Sequence, residues 1–126
     1  MPLVRIDMRK GKTPAYRKSI CDGIYRAMRE TFNVPENDRF VVVGEHDADD
    51  FIHSDAYLGI EYSDDLVMIQ ITANDTRTVE QKKAFYARIA ELLSENPGVR
   101  PQDVVINLVE VRKENWSFGN GIAQYT

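Results

Sequence analysis

The chain has 126 residues, 43% hydrophobic and 29% charged, with a formal net charge of -4 and a pI near 5.2. That length and apolar content fit one globular domain with its own core, small enough to gain from oligomer contacts, and the acidic balance argues against a binder of nucleic-acid backbones. A single cysteine, Cys21, excludes an intrachain disulfide, and no apolar run is long enough to address or anchor the chain at a membrane, so the expected compartment is the cytoplasm.

The first element is a strand in which Val4, Ile6 and Met8 alternate with Arg5 and Asp7, the period of a half-buried strand. Thr13 followed by Pro14 marks a helix start, and Tyr16, Ile20, Ile24, Ala27 and Met28 form one helical face that should end near Asn33, ahead of Pro35. An apolar run after VPENDRF reads as the second strand. The stretch AYLGIEYSDD predicts a short strand and turn before Leu66. A further strand follows, then a helix opened by the capping-box pair Thr78 and Gln81, with Phe85, Ile89, Leu92 and Leu93 as its buried stripe and Asn96-Pro97-Gly98 as its stop. A last strand runs from VRPQDVVINL.

These elements repeat. LVRI at 3–6 recurs as LVMI at 66–69, KTPAYRKSICDGI at 12–24 aligns with RTVEQKKAFYARI at 77–89, and the same helix alignment sets Asp38 against Asp103. Each copy reads β-α-β, one over about residues 2–45 and the other over about 64–112, with a C-terminal turn segment at 113–126. Two strands joined through a helix run parallel, so the tandem predicts an α+β fold with a four-stranded mixed sheet and both helices on one face. The bare second face predicts association with further copies of the chain.

The second residue is a proline, of no use to a helix interior or a central strand. If Met1 is removed, the Pro2 nitrogen becomes a free secondary amine. A solvated α-amino group titrates near ~7.7–8.0, so such a proline is mostly cationic at pH 7. Apolar burial and a neighbouring cation lower that value at ~1.4 kcal/mol per unit, and the neutral amine that results accepts protons. A neighbouring carboxylate acts in the opposite direction and keeps the nitrogen protonated, as an acid. A retained Met1 ties the nitrogen into a peptide bond and abolishes both roles.

MPLVRID, VPENDRF, RTVEQKKAFYARIAELL and NWSFGNG, in that order, resemble the tautomerase superfamily, specifically its fused-repeat members similar to malonate semialdehyde decarboxylase and 4-oxalocrotonate tautomerase-like proteins. The resemblance covers nearly the whole chain. It implies a homotrimer of β-α-β tandems, no cofactor, and chemistry at the amino-terminal proline. It also carries over Arg77 as the holder of a substrate carboxylate and Asp38 as a residue working beside Pro2. One departure stands out: the decarboxylases place a second arginine two positions before the first, where this chain has Asp75.

Each of these residues also has an ordinary structural reading. Arg77 precedes a helix cap and suits either a carboxylate or solvent. Asp38 suits a turn before a strand, and Arg39 either pairs with it or faces water. Trp116 and Phe118 supply an apolar wall that desolvates Pro2, or else core packing or a subunit contact. Gly119 and Gly121 read as turn glycines. Glu45, His46, Asp47, Asp49, Asp50 and His53 match no metal-site spacing and read as a solvated acidic loop. Arg5, Arg9, Lys10, Lys12, Arg17 and Lys18 are either exposed or steer anions toward Pro2, Lys12 being the repeat mate of Arg77. Cys21 reads as a packing residue.

The expected function is a cofactor-independent tautomerase or isomerase of a small anionic 2-oxo or enol acid, with Pro2, Asp38 and Arg77 catalytic and Arg77, Trp116 and Phe118 binding substrate. Two alternatives stay open: a decarboxylase or hydratase of a 3-oxo acid such as malonate semialdehyde, and a non-catalytic trimeric binding protein. No nucleic acid, membrane or metal partner is expected.

Overall fold

The computed structural model describes residues 2–126; Met1, and with it the question of its removal, lies outside the described residues. Strand β1 (Leu3–Arg9) is followed by helix α1 (Pro14–Phe32) and strand β2 (Val41–His46). A two-stranded hairpin, β3 (Ala56–Tyr57) with β4 (Ile60–Glu61), fills the expected short-strand region. The second copy comprises β5 (Val67–Asn74), α2 (Val79–Glu95) and β6 (Val104–Val111). The main sheet runs β2-β1-β5-β6, parallel within each copy and antiparallel between β1 and β5, as the tandem predicts.

Local chemistry sets the helix ends. The Thr13 side chain accepts the Tyr16 N–H at 3.1 Å with Pro14 as the first helical residue, and Asn33 closes α1 in the left-handed region at φ 54°. Thr78 and Gln81 complete a reciprocal capping box on α2 at 3.0 and 3.1 Å. Both helices lie on the face that presents Val4, Ile6, Met8, Val67, Ile69 and Ile71, and the two core aromatics Phe32 and Phe85 meet with ring centroids 4.2 Å apart. Gly23 lets the helices approach: a Cβ there would meet Leu93 Cδ2 at 2.8 Å. The opposite sheet face carries Leu3, Val42, Val105 and Val109, each more than a third exposed, among polar neighbours.

The two copies are set by strand register. Ile6 and Ile69, repeat mates, are also register partners, so the axis relating the copies passes between them. The strands keep one offset, Val4 with Val67 and Val41 with Val104, whereas the caps Thr13 and Thr78 stand two residues further apart, and α2 is shorter at 17 residues against 19. The helix alignment that matches Asp38 to Asp103 therefore lapses before the second strands. Asp103 adjoins β6, is fully buried, and accepts hydrogen bonds from the backbone and hydroxyl of Ser63 at 2.8 and 2.6 Å; Asp38 is separated from β2 by Arg39 and Phe40.

Candidate active site

Antiparallel pairing of Leu3 with Thr72 brings the start of β1 beside the end of β5, and thus Pro2 to the same end of the sheet as the β5–α2 connection that carries Arg77. Pro2 is buried. It lines a cavity of about 230 Å³ together with Leu3, Phe40, Trp116, Ser117 and Phe118. The aromatic rings are held by one another: Trp116 and Phe118 stack at 5.4 Å, Phe40 lies 6.5 Å from Phe118, and Tyr125 meets Phe118 edge-on at 5.3 Å. The indole N–H of Trp116 donates to Asn74 Oδ1 at 2.8 Å, anchoring the C-terminal segment to the end of β5. Gln124 closes the turn that presents Phe118, accepting its N–H at 2.9 Å and donating to the Gly119 carbonyl at 3.1 Å, with Gly119 and Gly121 both at positive φ.

Arg77 is half-buried at the start of α2, its Nη2 donating to the Phe32 carbonyl at 3.1 Å and its guanidinium 4.9 Å from the Phe32 ring centroid. It satisfies an orphan carbonyl at the end of α1 while keeping further N–H donors in its planar fork. Burial pulls its pKa down from the ordinary arginine value, and Asp38 and then Tyr125 oppose that; an arginine stays cationic at neutral pH throughout. Burial likewise pushes the Asp38 carboxyl up, and the charge of Arg77 pulls it back down. Asp38 thus interacts electrostatically with Arg77.

This end of the sheet combines an apolar wall around Pro2, a guanidinium able to grip a carboxylate, and a carboxyl group that acts on that guanidinium. Arg77 and Asp38 are not among the residues lining the Pro2 cavity; Tyr125, which acts electrostatically on Arg77, packs on Phe118 of its wall. Residues missed by sequence reasoning are Phe40, Asn74 and Tyr125, each within or against the same wall. Phe40 follows directly on the singled-out Asp38-Arg39 pair, but nothing in the sequence marks Asn74 or Tyr125.

Other expectations resolve differently. Arg39 pairs with Asp22 at 2.5 Å and lies over the Tyr25 ring, away from Asp38. Asp75 is exposed, its backbone N–H continuing the sheet to the Val111 carbonyl at 3.0 Å. The basic residues read as either exposed or steering anions toward Pro2 are mostly paired with carboxylates: Arg9 with Asp64, Lys10 with Asp47, Lys12 with Asp65, Arg17 with Glu45 and Lys18 with Asp22. Arg9 ends β1, about 23 Å from Pro2 at the rise of an extended strand, and Lys10 and Lys12 follow it at that far end. In the acidic loop, His46 Nε2 lies 2.6 Å from Asp7 Oδ1, and the described residues contain no group of three or more His, Cys, Asp or Glu placed to hold a metal. Burial pushes the Cys21 thiol up, so it is a poor nucleophile.

The tandem β-α-β fold is that of the tautomerase superfamily, and comparison with known proteins bears that out. Two family models, each described as tautomerase enzyme, match residues 2–60 and 38–119, so the chain belongs to the tautomerase family. It is 40% identical to the probable tautomerase YusQ of Bacillus subtilis (strain 168) over 98% of both chains, and 34% identical to the probable tautomerase YrdN of the same strain over 99% of this chain and 96% of that one. Among solved structures, a malonate semialdehyde decarboxylase superposes with a TM-score of 0.92 at 35% identity, covering 98% of this chain and 95% of the other. FG41 malonate semialdehyde decarboxylase inhibited by 3-bromopropiolate gives 0.91 at 37%, covering 98% and 93%. No described helix is long and apolar enough to cross a membrane.

Proposed function

We propose that this tautomerase-family enzyme moves a proton in a small 2-oxo or enol carboxylic acid, without a cofactor, through an amino-terminal Pro2 exposed by removal of Met1. The observation that carries the reading is the burial of Pro2 against the Phe40–Trp116–Phe118 wall at the sheet end that also bears Arg77. An amine in such surroundings is biased toward its neutral form. Neutral Pro2 accepts the enol hydroxyl proton, and the ammonium so formed delivers it to the adjacent carbon. Arg77 holds the substrate carboxylate and offsets the enolate charge. Asp38, with its carboxyl value raised, tunes the charge at the amine.

A second reading is favoured by the likeness to malonate semialdehyde decarboxylases at 35 and 37% identity. There Pro2 stays protonated, and with Asp38 it decarboxylates or hydrates a 3-oxo acid. The exposed Asp75, standing where those enzymes are expected to carry a second arginine, favours the tautomerase reading. Product analysis separates the two. Loss of enol absorbance from a 2-oxo acid, dependent on Pro2, supports the first; Pro2-dependent carbon dioxide from a 3-oxo acid, with no enol turnover, replaces it with the second.

Association into a homotrimer in the cytoplasm belongs to the same proposal. It is supported by the half-apolar open sheet face and by a fused 4-OT described as a symmetric trimer, which shares the fold at a TM-score of 0.78. Sedimentation of the purified chain tests it, a monomer at micromolar concentration being the contrary result.

A further inference from the structure

The axis between Ile6 and Ile69 gives the Pro2 end of the sheet a counterpart at the opposite end, where β5 starts and the β1–α1 connection passes. A cavity of about 280 Å³ lies there, larger than the one at Pro2. Its residues answer those of the first site: Lys12 precedes the cap Thr13 as Arg77 precedes the cap Thr78, and in the strand alignment Asp65 takes the place of Pro2. Tyr16 supplies an aromatic wall, with the Lys12 ammonium 5.0 Å from its ring centroid.

Two carboxylates at present occupy the cations. Lys12 Nζ lies 2.8 Å from Asp65 Oδ1 and Arg9 Nη1 lies 3.0 Å from Asp64 Oδ1. Both acids are largely solvated, with side chains 57% and 82% exposed, so an incoming anion displaces them at little cost. Arg9 also has a buried Nε with no hydrogen-bond partner among the described residues, a donor for which the fold provides no acceptor.

We propose that this cavity is a second carboxylate-binding site, the repeat counterpart of the Arg77 site, with the Asp65 side chain as its internal plug. A small organic anion would take the place of Asp65 on Lys12 and of Asp64 on Arg9. With an aspartate where the other copy has its proline, this site has no amino-terminal secondary amine, and its Lys12 amine is held as an ammonium by its ion pair, so it binds without turnover. The proposal does not depend on Pro2 chemistry and stands or falls separately from the catalytic reading.

The test is titration of the full chain with 2-oxobutyrate, read by amide chemical shifts and by calorimetric stoichiometry in an Arg77→Ala background. Saturable binding is expected to persist there, with shifts at Gly11, Lys12 and Leu66. Lys12→Ala should weaken it at least about tenfold, and Asp65→Asn should tighten it by about fivefold, the effect of removing one exposed competing ion pair. A folding defect cannot imitate the tightening. Loss of all saturable binding with Arg77→Ala alone, or residual binding indifferent to both Lys12→Ala and Asp65→Asn, overturns the proposal.

Discussion

Trp116 donates its indole N–H to the side-chain oxygen of Asn74 at 2.8 Å. Asn74 is the last residue of β5 and almost fully buried, so this bond ties the C-terminal segment to the strand that leads into Arg77. It is the link between the apolar wall around Pro2 and the half of the chain that supplies the cation.

Replacing Asn74 by alanine leaves that indole N–H without its acceptor, at a cost of about 1–3 kcal/mol in stability. The loosened wall should raise KM more than it lowers kcat, and Asn74→Asp, which retains an acceptor, should recover most of the affinity. Urea denaturation and steady-state kinetics read the two effects. An unchanged KM in a destabilised Asn74→Ala protein would reduce the bond to a structural one.

Arg77→Ala should reduce kcat/KM for a 2-oxo acid by about 10- to 100-fold, the value of one or more charge-assisted hydrogen bonds to a carboxylate. Arg77→Lys keeps the charge and loses the fork, and should fall between the two. Part of the loss is expected as weaker anchoring to the end of α1, so thermal melts accompany the kinetics. Equal kcat/KM in all three proteins would remove Arg77 from the site.

Asp38 gives a pH signature. Its carboxyl value is raised in the folded chain, so its contribution to stability is fully present below the ordinary 3.8 and is lost as pH rises through the raised value. Asparagine does not ionise. Relative to wild type, Asp38→Asn should therefore gain stability between pH 3.5 and pH 7, seen as a diverging pair of urea midpoints. Divergence in the other direction would mean that the ionised carboxylate is held favourably.

Thr78→Ala removes half of the capping box and should cost about 1 kcal/mol. Thr13→Ala should cost about the same in α1. Only the first adjoins Arg77, so only it should raise KM as well as lower the melting temperature. Matching KM changes in both would show that the cap does not position the guanidinium.

Both helix starts, the strand alternation and the tandem were legible in the sequence because each rests on local chemistry: a threonine before a helix, a proline in its first turn, apolar residues at a fixed period. The places of Pro2 before a strand and Arg77 before a helix cap were legible for the same reason, whereas the roles proposed for them come from the family resemblance. The bond from Trp116 to Asn74 spans 42 residues and depends on where the tail returns, which no local pattern encodes. Arg39 likewise had a carboxylate beside it in sequence and took Asp22 across the fold. For the basic run around Lys12, closeness along the chain left both exposure and steering toward Pro2 open. The length of β1 carries it to the opposite end from Pro2.

The central claim is an unblocked Pro2 nitrogen, and the most direct test compares turnover of chains beginning at Pro2 with chains carrying one additional residue before it, their termini fixed by intact mass. The account predicts that the blocked protein folds and associates normally but loses about 10²- to 10⁴-fold in kcat, the range of a lost general acid–base group. Undiminished turnover by a protein whose Pro2 nitrogen is wholly acylated would contradict it.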